Sequence, residues 1–308
     1  MTETKFYDAV LEAVTDRMGE DYQVNLHQIT KNNDLELTGI SIHTKERNIS
    51  PTIYLNSFYK EYEEGRDFDD IVDKILSIYE ETHSVNDIDL TRFDEYDWVK
   101  DRIMMKLCNY SNNRKLLKDV PHKKVLDLAL VFYVPVQSNS IGAGSVLVHQ
   151  SHMEHWGVDV EELYHVAQEN LKNTLSPTLS SMEEVMMEFM DHGVARNLLS
   201  KEGGFPLPKE EEAADMYVLT NSNRYFGATT LFYDGVMEDV ARILQSDFYI
   251  IPSSIHEVIL VPKGVIPIST EELSEMVMNV NSTEVDQCDI LSDHIYSYDR
   301  MTKELSCA

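Results

Sequence analysis

The segment from residue 252 to residue 257 holds the closest grouping of side chains that could do chemistry. It reads Pro-Ser-Ser-Ile-His-Glu and lies between two apolar segments, 248–251 and 258–261, which predict β-strands. A serine near a histidine could form a nucleophile–base pair, and a histidine beside a carboxylate could act as a general base. The candidate catalytic side chains are therefore Ser254, His256 and Glu257.

Two other interpretations of this segment compete with catalysis. Serine hydroxyls in turns bond to nearby backbone groups, so the segment could be purely structural. Alternatively, it could bind a ligand or partner through Asn221, which follows the predicted strand 216–220, together with Ser253, Ser254, His256 and Glu257. Catalytic pairs usually come from separate loops, and the sequence has no Gly-x-Ser-x-Gly elbow. The pattern favours a structural turn over binding, and binding over catalysis.

A second candidate is a local reversal of charge between residues 100 and 124, where eight basic side chains stand against two acidic ones. Tyr110 and His122 lie among them and could stack on a base. Pairing with the protein's own carboxylates is the favoured interpretation, and contact with an anionic ligand is the alternative. The predicted basic patch consists of Arg114, Lys115, Lys118, Lys123 and Lys124.

Histidines and methionines form two further groups. His149, His152 and His155 cannot all face one metal ion from a single helix, because each residue turns the helix by about 100°. No metal site is predicted. The methionines of 182–190 are predicted to face the core. No P-loop and no Gly-x-Gly-x-x-Gly is present, so no cofactor is expected.

Charge and composition restrict the class of function. The 308 residues include 54 acidic and 26 basic side chains, giving a formal net charge of −28. Carboxylates outnumber cations on both sides of Leu175, so an acidic tail does not explain the charge. Negative charge repels nucleic acid and anionic lipid, which disfavours direct binding to either. A hydrophobic content of 43% excludes a wholly disordered chain.

The predicted cellular compartment rests on three patterns: apolar stretches, the N-terminal residues and the cysteines. The longest apolar stretch, 126–136, is interrupted by Asp127 and is too short to span a membrane. The first residues do not show the basic and apolar pattern of a signal peptide. Cys108, Cys288 and Cys307 are odd in number and far apart, which is typical of reduced thiols. A cytoplasmic protein is expected.

The periodicity predicts an α+β fold with mainly antiparallel sheets and several packed helices. Residues 4–18 predict an amphipathic helix, and 31–34 predict the turn of a hairpin. A short helix is predicted from Pro51 onward and another helix over 229–245, and Thr270 is predicted to cap a later one. A boundary near residue 90 would separate a helix–hairpin–helix region, 1–90, from a main α+β region, 91–308, unless the two form one continuous unit.

Several of these segments resemble a family of bacterial proteins of unknown function that is common on mobile genetic elements. The resemblance spans most of the chain, and its most specific blocks are Gly227-Ala228 and the segment 252–258. Others are 127–132 after Pro121-His122, Trp156 with 162–170, and 216–221. The resemblance implies a mixed α/β unit and a role in mobile-element biology. It implies no reaction, cofactor or catalytic residue.

Three hypotheses for function follow. The leading one is a non-enzymatic interaction or regulatory protein of a mobile element, which presents an acidic surface to a protein partner. The second is a hydrolase that uses the loop 252–257. The third is a nucleic-acid mimic that inhibits a DNA- or RNA-binding protein, with carboxylates in the places of phosphates.

Overall fold

The structure is a computed structural model that describes residues 1–44, 52–83, 92–138, 142–190, 215–252, 254–265 and 269–308. Helices and mainly antiparallel sheets are both present, which confirms the predicted α+β class. The chain divides into two compact units, one of Met1–Thr91 with Pro135–Ser145 and one of Arg92–Val134 with Val146–Ala308. The separation of 1–90 from 91–308 as domains stays a prediction.

The first unit packs helices on a three-stranded antiparallel sheet of order β1-β2-β3. Its elements are α1 (Glu3–Met18), β1 (Tyr22–Thr30), β2 (Glu36–Thr44), β3 (Thr52–Tyr54), α2 (Asn56–Glu63) and α3 (Phe68–His83). Apolar residues at helical spacing form its core, including Phe6, Val10 and Val14 of α1 with Ile71, Val72 and Ile75 of α3.

The hairpin turn in this unit forms where the sequence predicts it. Asn33 and Asp34 adopt positive φ values of 61° and 50°, a conformation that these two residue types tolerate well. The helix predicted from Pro51 is wrong in its start. Ile53 lies in β3, paired with Ile40 of β2, and the helix begins only at Asn56. Pairing with the exposed edge of β2 outweighs the local helical pattern. Pro51 itself lies outside the described residues.

The second unit begins with short helices and a sheet in which β6 is central. The elements are α4 (Tyr96–Val99), β4 (Met104–Asn109), β5 (His122–Val125), β6 (Leu128–Ser138), β7 (Gly142–Leu147), α5 (Gln150–Trp156) and α6 (Val160–Thr174). β4 and β5 both pair antiparallel with β6, and β7 pairs with β6 as well. The end of β6 and most of β7 fall within Pro135–Ser145 of the first unit.

A six-stranded antiparallel sheet completes the second unit, in the order β13-β12-β10-β11-β9-β8. Its strands and associated helices are β8 (Pro177–Ser181), α7 (Met182–Met190), β9 (Tyr217–Asn221), α8 (Val236–Leu244), β10 (Phe248–Ile251), β11 (Val258–Pro262), α9 (Thr270–Thr283), β12 (Tyr296–Asp299) and β13 (Glu304–Cys307). The strands predicted on either side of the loop 252–257 are therefore confirmed as β10 and β11.

Three local predictions are corrected in this unit. The prediction of a single helix over 229–245 is wrong. A 3-10 helix (Gly227–Phe232) ends first, and α8 begins after Gly235, which caps it with a positive φ of 81°. Ser269, not Thr270, caps α9, and it forms a capping box with Glu272. The methionine-rich helix α7 is not wholly core-facing, since Met186 is 54% and Met187 is 66% exposed.

Candidate functional site

The antiparallel pairing of β9 and β11 brings the predicted site residues to one end of the sheet. Val258 pairs with Leu219, so the end of β9 lies beside the loop that precedes β11. Asn221 and the loop 252–257 therefore meet as the sequence predicts. We call this end of the sheet, with Thr220, Asn221, Tyr225, Phe226, Gly227, Ser254, His256 and Glu257, the β9–β11 cluster. Ser253 lies outside the described residues.

The hydroxyl of Ser254 bonds within its own loop. It donates to Glu257 Oε1 at 3.0 Å and accepts the backbone N–H of His256 at 2.9 Å. The side chain is buried. A nucleophilic serine instead needs its proton directed at a base such as the imidazole. The geometry is that of a turn stabilised by serine and glutamate, while a catalytic role for Ser254 stays a prediction.

Both ring nitrogens of His256 have partners. Nδ1 accepts the backbone N–H of Phe226 at 3.2 Å, which assigns the proton of the neutral ring to Nε2. Nε2 lies 3.6 Å from Asp289 Oδ1. The imidazole also stacks on the Phe226 ring, with centroids 5.8 Å apart and an interplanar angle of 7°. A general base needs a nitrogen that can receive a proton from the substrate, and in this arrangement Nδ1 is already occupied.

Gly227 allows the two loops to approach one another. A Cβ atom at this position would lie 2.0 Å from Thr220 Oγ1, 2.4 Å from His256 O and 2.8 Å from Asn221 N. Thr220 Oγ1 donates to His256 O at 2.7 Å across the same gap. The backbone at 227 thus sits where no side chain fits, which gives a physical reason for the glycine in one of the two most specific blocks of the resemblance.

Asn221 shapes the loop that follows β9. Its side chain is 1% exposed. Its Nδ2 donates to Tyr225 O at 2.9 Å, and its Oδ1 accepts the backbone N–H groups of Asn223 at 3.1 Å and Tyr225 at 3.3 Å. These bonds form an Asx-type turn. The amide is consumed by the loop's own backbone, so Asn221 positions Tyr225 and Phe226 rather than facing outward.

Buried hydroxyl groups lie close to this turn, and they were not predicted from the sequence as part of the site. Burial raises the pKa of Tyr133, Tyr225 and Tyr233. Within the described part of the chain, Tyr233 Oη and Thr229 Oγ1 are buried without a hydrogen-bond partner. Tyrosines in an apolar pattern are indistinguishable from core residues in a sequence, so no signal could have found them.

A carboxylate network at Asp127 is a second site that sequence reasoning missed. Its Oδ2 accepts from Ser292 Oγ at 2.7 Å and from His294 Nδ1 at 2.9 Å, and its Oδ1 accepts from Tyr296 Oη at 2.8 Å. Burial alone would raise the pKa of Asp127, but these three hydrogen bonds outweigh it and hold the pKa below its usual range. The preceding Leu126 has a positive φ of 56°. The only sequence signal was that Asp127 interrupts an apolar run.

His149 and His152 form the N-terminal cap of α5. The backbone N–H of His149 donates to His152 Nδ1 at 3.0 Å, and His149 Nδ1 lies 2.7 Å from Asp119 Oδ2. His152 stacks on Trp156, and burial lowers the pKa of His152. Among the residues that the structure describes, no three His, Cys, Asp or Glu side chains are grouped so that they could hold a metal ion.

The predicted basic patch is divided between opposite faces of β5. Lys123 pairs with Glu161 at 2.8 Å and lies over the Tyr164 ring. Lys124 and Arg114 instead lie over the ring of Tyr110. Lys115 is the N-cap residue of the 3-10 helix Leu116–Lys118, and Lys118 is its last residue. Because successive residues of a strand point to opposite faces, the five cations do not form one surface.

A comparison with protein families gives a match over most of the chain. A model described as a family of unknown function, DUF5688, matches residues 3–300. The chain belongs to DUF5688. No curated protein and no solved structure was found to match this DUF5688 chain. Across the described ranges, no helix of this DUF5688 chain is both long and apolar enough to cross a membrane.

Proposed function

We propose that this DUF5688 protein is a non-enzymatic interaction protein that presents an acidic surface to a positively charged protein partner. The observation that carries the proposal is a row of carboxylates along α1. Asp8, Glu12 and Asp16 are all exposed and recur every four residues, so they lie on one face of the helix. The opposite face buries Phe6, Val10 and Val14.

This row has no compensating cation. Within the described ranges, Asp8, Glu12 and Asp16 make no ion pair, and the nearby Arg17 is bonded to Asp69 and Asp73 of α3. Like charges four residues apart destabilise a helix by roughly 0.2–0.5 kcal/mol per pair. The row therefore works against folding, and attraction of a basic partner would account for it.

Non-enzymatic action is supported by the β9–β11 cluster. The hydroxyl of Ser254 is directed at Glu257 rather than at an imidazole, and Nδ1 of His256 holds the Phe226 N–H. These bonds favour a scaffolding role for the loop over hydrolysis. In this proposal the protein acts in a bacterial cytoplasm as a regulatory product of a mobile genetic element.

A second candidate function is mimicry of nucleic acid, and the same row favours it. Four helical residues rise by about 6 Å, so α1 carries negative charges at a regular interval along a straight rod. A groove that tracks the phosphates of nucleic acid through lysine and arginine would attract such a rod. The two candidates differ in whether the partner's surface also binds DNA or RNA.

The test compares two charge variants of the full chain as baits in a source-cell extract. The first carries Asp8→Asn, Glu12→Gln and Asp16→Asn. The matched control carries Asp234→Asn, Glu275→Gln and Asp286→Asn, which remove the same three charges from exposed positions elsewhere. We expect a protein that the wild type and the control retain, that the α1 variant loses, and that elutes at high salt.

The outcomes separate the hypotheses. Equal retention by all three baits, or the absence of any specific protein, contradicts the interaction proposal. If the partner is found, duplex DNA or RNA is added as a competitor at equal charge concentration. Displacement of the partner supports mimicry, and indifference to nucleic acid supports a partner surface of another kind.

A further inference from the structure

Two cations of this acidic protein converge on one aromatic ring. Lys124 Nζ lies 4.2 Å and Arg114 Cζ lies 5.1 Å from the ring centroid of Tyr110. Both side chains are exposed residues of the second unit. Each contact is a cation–π interaction, but two like charges beside a single ring also repel one another. A negative charge beside the pair would relieve this repulsion.

No carboxylate of the described ranges supplies that charge. Neither Arg114 nor Lys124 forms an ion pair within 4.0 Å among them. The protein has 54 acidic side chains for 26 basic ones, so carboxylates are numerous, yet none of the described ones pairs with either cation. Lys123, the neighbour of Lys124 on the other face of β5, does have a carboxylate partner in Glu161 at 2.8 Å. Pairing is thus present on one face of the strand and absent on the other.

Asp127 lies beside Tyr110, but its carboxylate bonds to other partners. The backbone N–H of Tyr110 donates to Asp127 O at 2.8 Å, which places Asp127 next to Tyr110. The carboxylate oxygens of Asp127 are taken by Ser292, His294 and Tyr296. Its negative charge is therefore stabilised by those three donors instead of by Arg114 or Lys124.

The loop that carries Arg114 is held in place by Asn109. The Oδ1 atom of Asn109 accepts from the backbone N–H groups of Ser111 and Asn112, each at 3.0 Å, and from Ser111 Oγ at 2.7 Å. Asn113 Nδ2 donates to Asn109 O at 2.8 Å. A loop fixed in this way loses little conformational entropy when a ligand binds.

We propose that Arg114 and Lys124, held against Tyr110, bind a phosphate group. The guanidinium presents a planar fork of N–H donors that suits two phosphate oxygens, and the ammonium adds a compact point charge. A phosphate dianion neutralises both cations at once, which a carboxylate monoanion cannot do. This site belongs to the second unit and is independent of the carboxylate row proposed as the partner surface on α1.

The experiment titrates the full chain with inorganic phosphate by calorimetry, in parallel with acetate at the same ionic strength. O-phosphoserine and adenosine monophosphate form two further arms, which distinguish an amino-acid from a nucleotide source of the phosphate. We expect phosphate to bind more tightly than acetate, and one of the two esters to bind more tightly than phosphate. A site that prefers acetate, or that binds all anions equally, overturns the proposal.

Variants locate the binding. Arg114→Gln and Lys124→Gln are each expected to weaken phosphate binding by about tenfold, as for the loss of a charge-assisted hydrogen bond. Arg114→Lys should retain part of the affinity, because it keeps the charge and loses the fork. Lys172→Gln, an exposed change on α6, is the matched control and should bind as the wild type does. If the control binds phosphate as weakly as the site variants do, the effect comes from the loss of net positive charge, and the site is refuted. Thermal unfolding of each variant verifies its fold.

Discussion

Nδ1 of His256 accepts the backbone N–H of Phe226 at 3.2 Å, and the two rings stack at an interplanar angle of 7°. The bond joins the loop after β9 to the loop before β11, thirty residues further along the chain. Phe226 has a positive φ of 55°, a conformation that costs a non-glycine residue energy. The imidazole therefore stabilises a strained backbone position as well as satisfying an N–H group.

Replacing this imidazole tests whether His256 is structural. His256→Ala leaves the Phe226 N–H without its acceptor and removes the stacked ring, so we expect the free energy of unfolding to fall by about 1–3 kcal/mol. Urea unfolding followed by circular dichroism measures the change. His256→Asn keeps an acceptor oxygen near the position of Nδ1 and should recover part of the loss. A fully stable His256→Ala protein would contradict the structural role and revive the hydrolase hypothesis.

Gly227→Ala is expected to be among the most damaging single changes in the second unit. The new Cβ would overlap Thr220 Oγ1 and two backbone atoms, which cannot move aside as the tip of a flexible side chain can. We expect a loss of at least about 3 kcal/mol or failure to fold. Gly144→Ala is the control, because its nearest heavy atom would lie 3.8 Å away. Thermal unfolding of both variants provides the comparison, and equal stability would show that the two loops can separate at little cost.

Asp127 should contribute stability that depends on pH. Its folded pKa lies below that of the unfolded chain, so the contribution is fully present above the unfolded value of about 3.9 and is lost as the pH falls through the folded value. Asp127→Asn should therefore cost about 2 kcal/mol at pH 7, as for hydrogen bonds to a charged group. The difference from wild type should shrink at pH 3.

Urea unfolding at the two pH values checks this prediction. Asp234→Asn, at an exposed position, serves as the control for loss of a carboxylate and should track the wild type at both. A difference for Asp127→Asn that stays the same at pH 3 would show that shape, rather than charge, makes Asp127 important.

Cys108 and Cys288 should react slowly in the folded protein, whereas Cys307 is exposed. Burial raises the pKa of Cys288, with Asp289 adding to the effect, and Cys108 is only 2% exposed. Because the thiolate is the reactive form, alkylation by iodoacetamide at pH 7.5 should be at least about threefold slower than in urea. Mass spectrometry of the peptides resolves each site. Reaction of Cys108 or Cys288 in the native state at the rate seen in urea would contradict the prediction.

The local elements were predictable because their causes are local. Alternating apolar residues indicated β10 and β11, and the polar residues between them indicated the loop 252–257. The hairpin turn at Asn33 followed from its residue types in the same way. The same local reasoning was wrong at Ile53, where an edge strand was available for pairing.

The contacts within the candidate sites could not be predicted. Asp127 and Tyr296 are 169 residues apart, and a hydrogen bond across that distance leaves no periodic trace in the sequence. The sequence likewise placed Ser254 and His256 close together, but it could not tell whether the serine proton would face the imidazole or Glu257. Side-chain direction depends on how separate loops pack, and a local sequence pattern does not encode that packing.

The sequence by itself determined the negative charge, the α+β class, and the placement of the loop 252–257 between two strands, because composition and periodicity are properties of the chain. The tertiary structure decided which polar groups are satisfied. In the fold, His256 accepts the Phe226 backbone N–H, and Asp127 accepts hydrogen bonds from three side chains of the C-terminal segment. Within the described ranges, no carboxylate pairs with Arg114 or Lys124. Hydrogen bonds and ion pairs act over a few ångströms, so only the folded chain determines which partners are within reach.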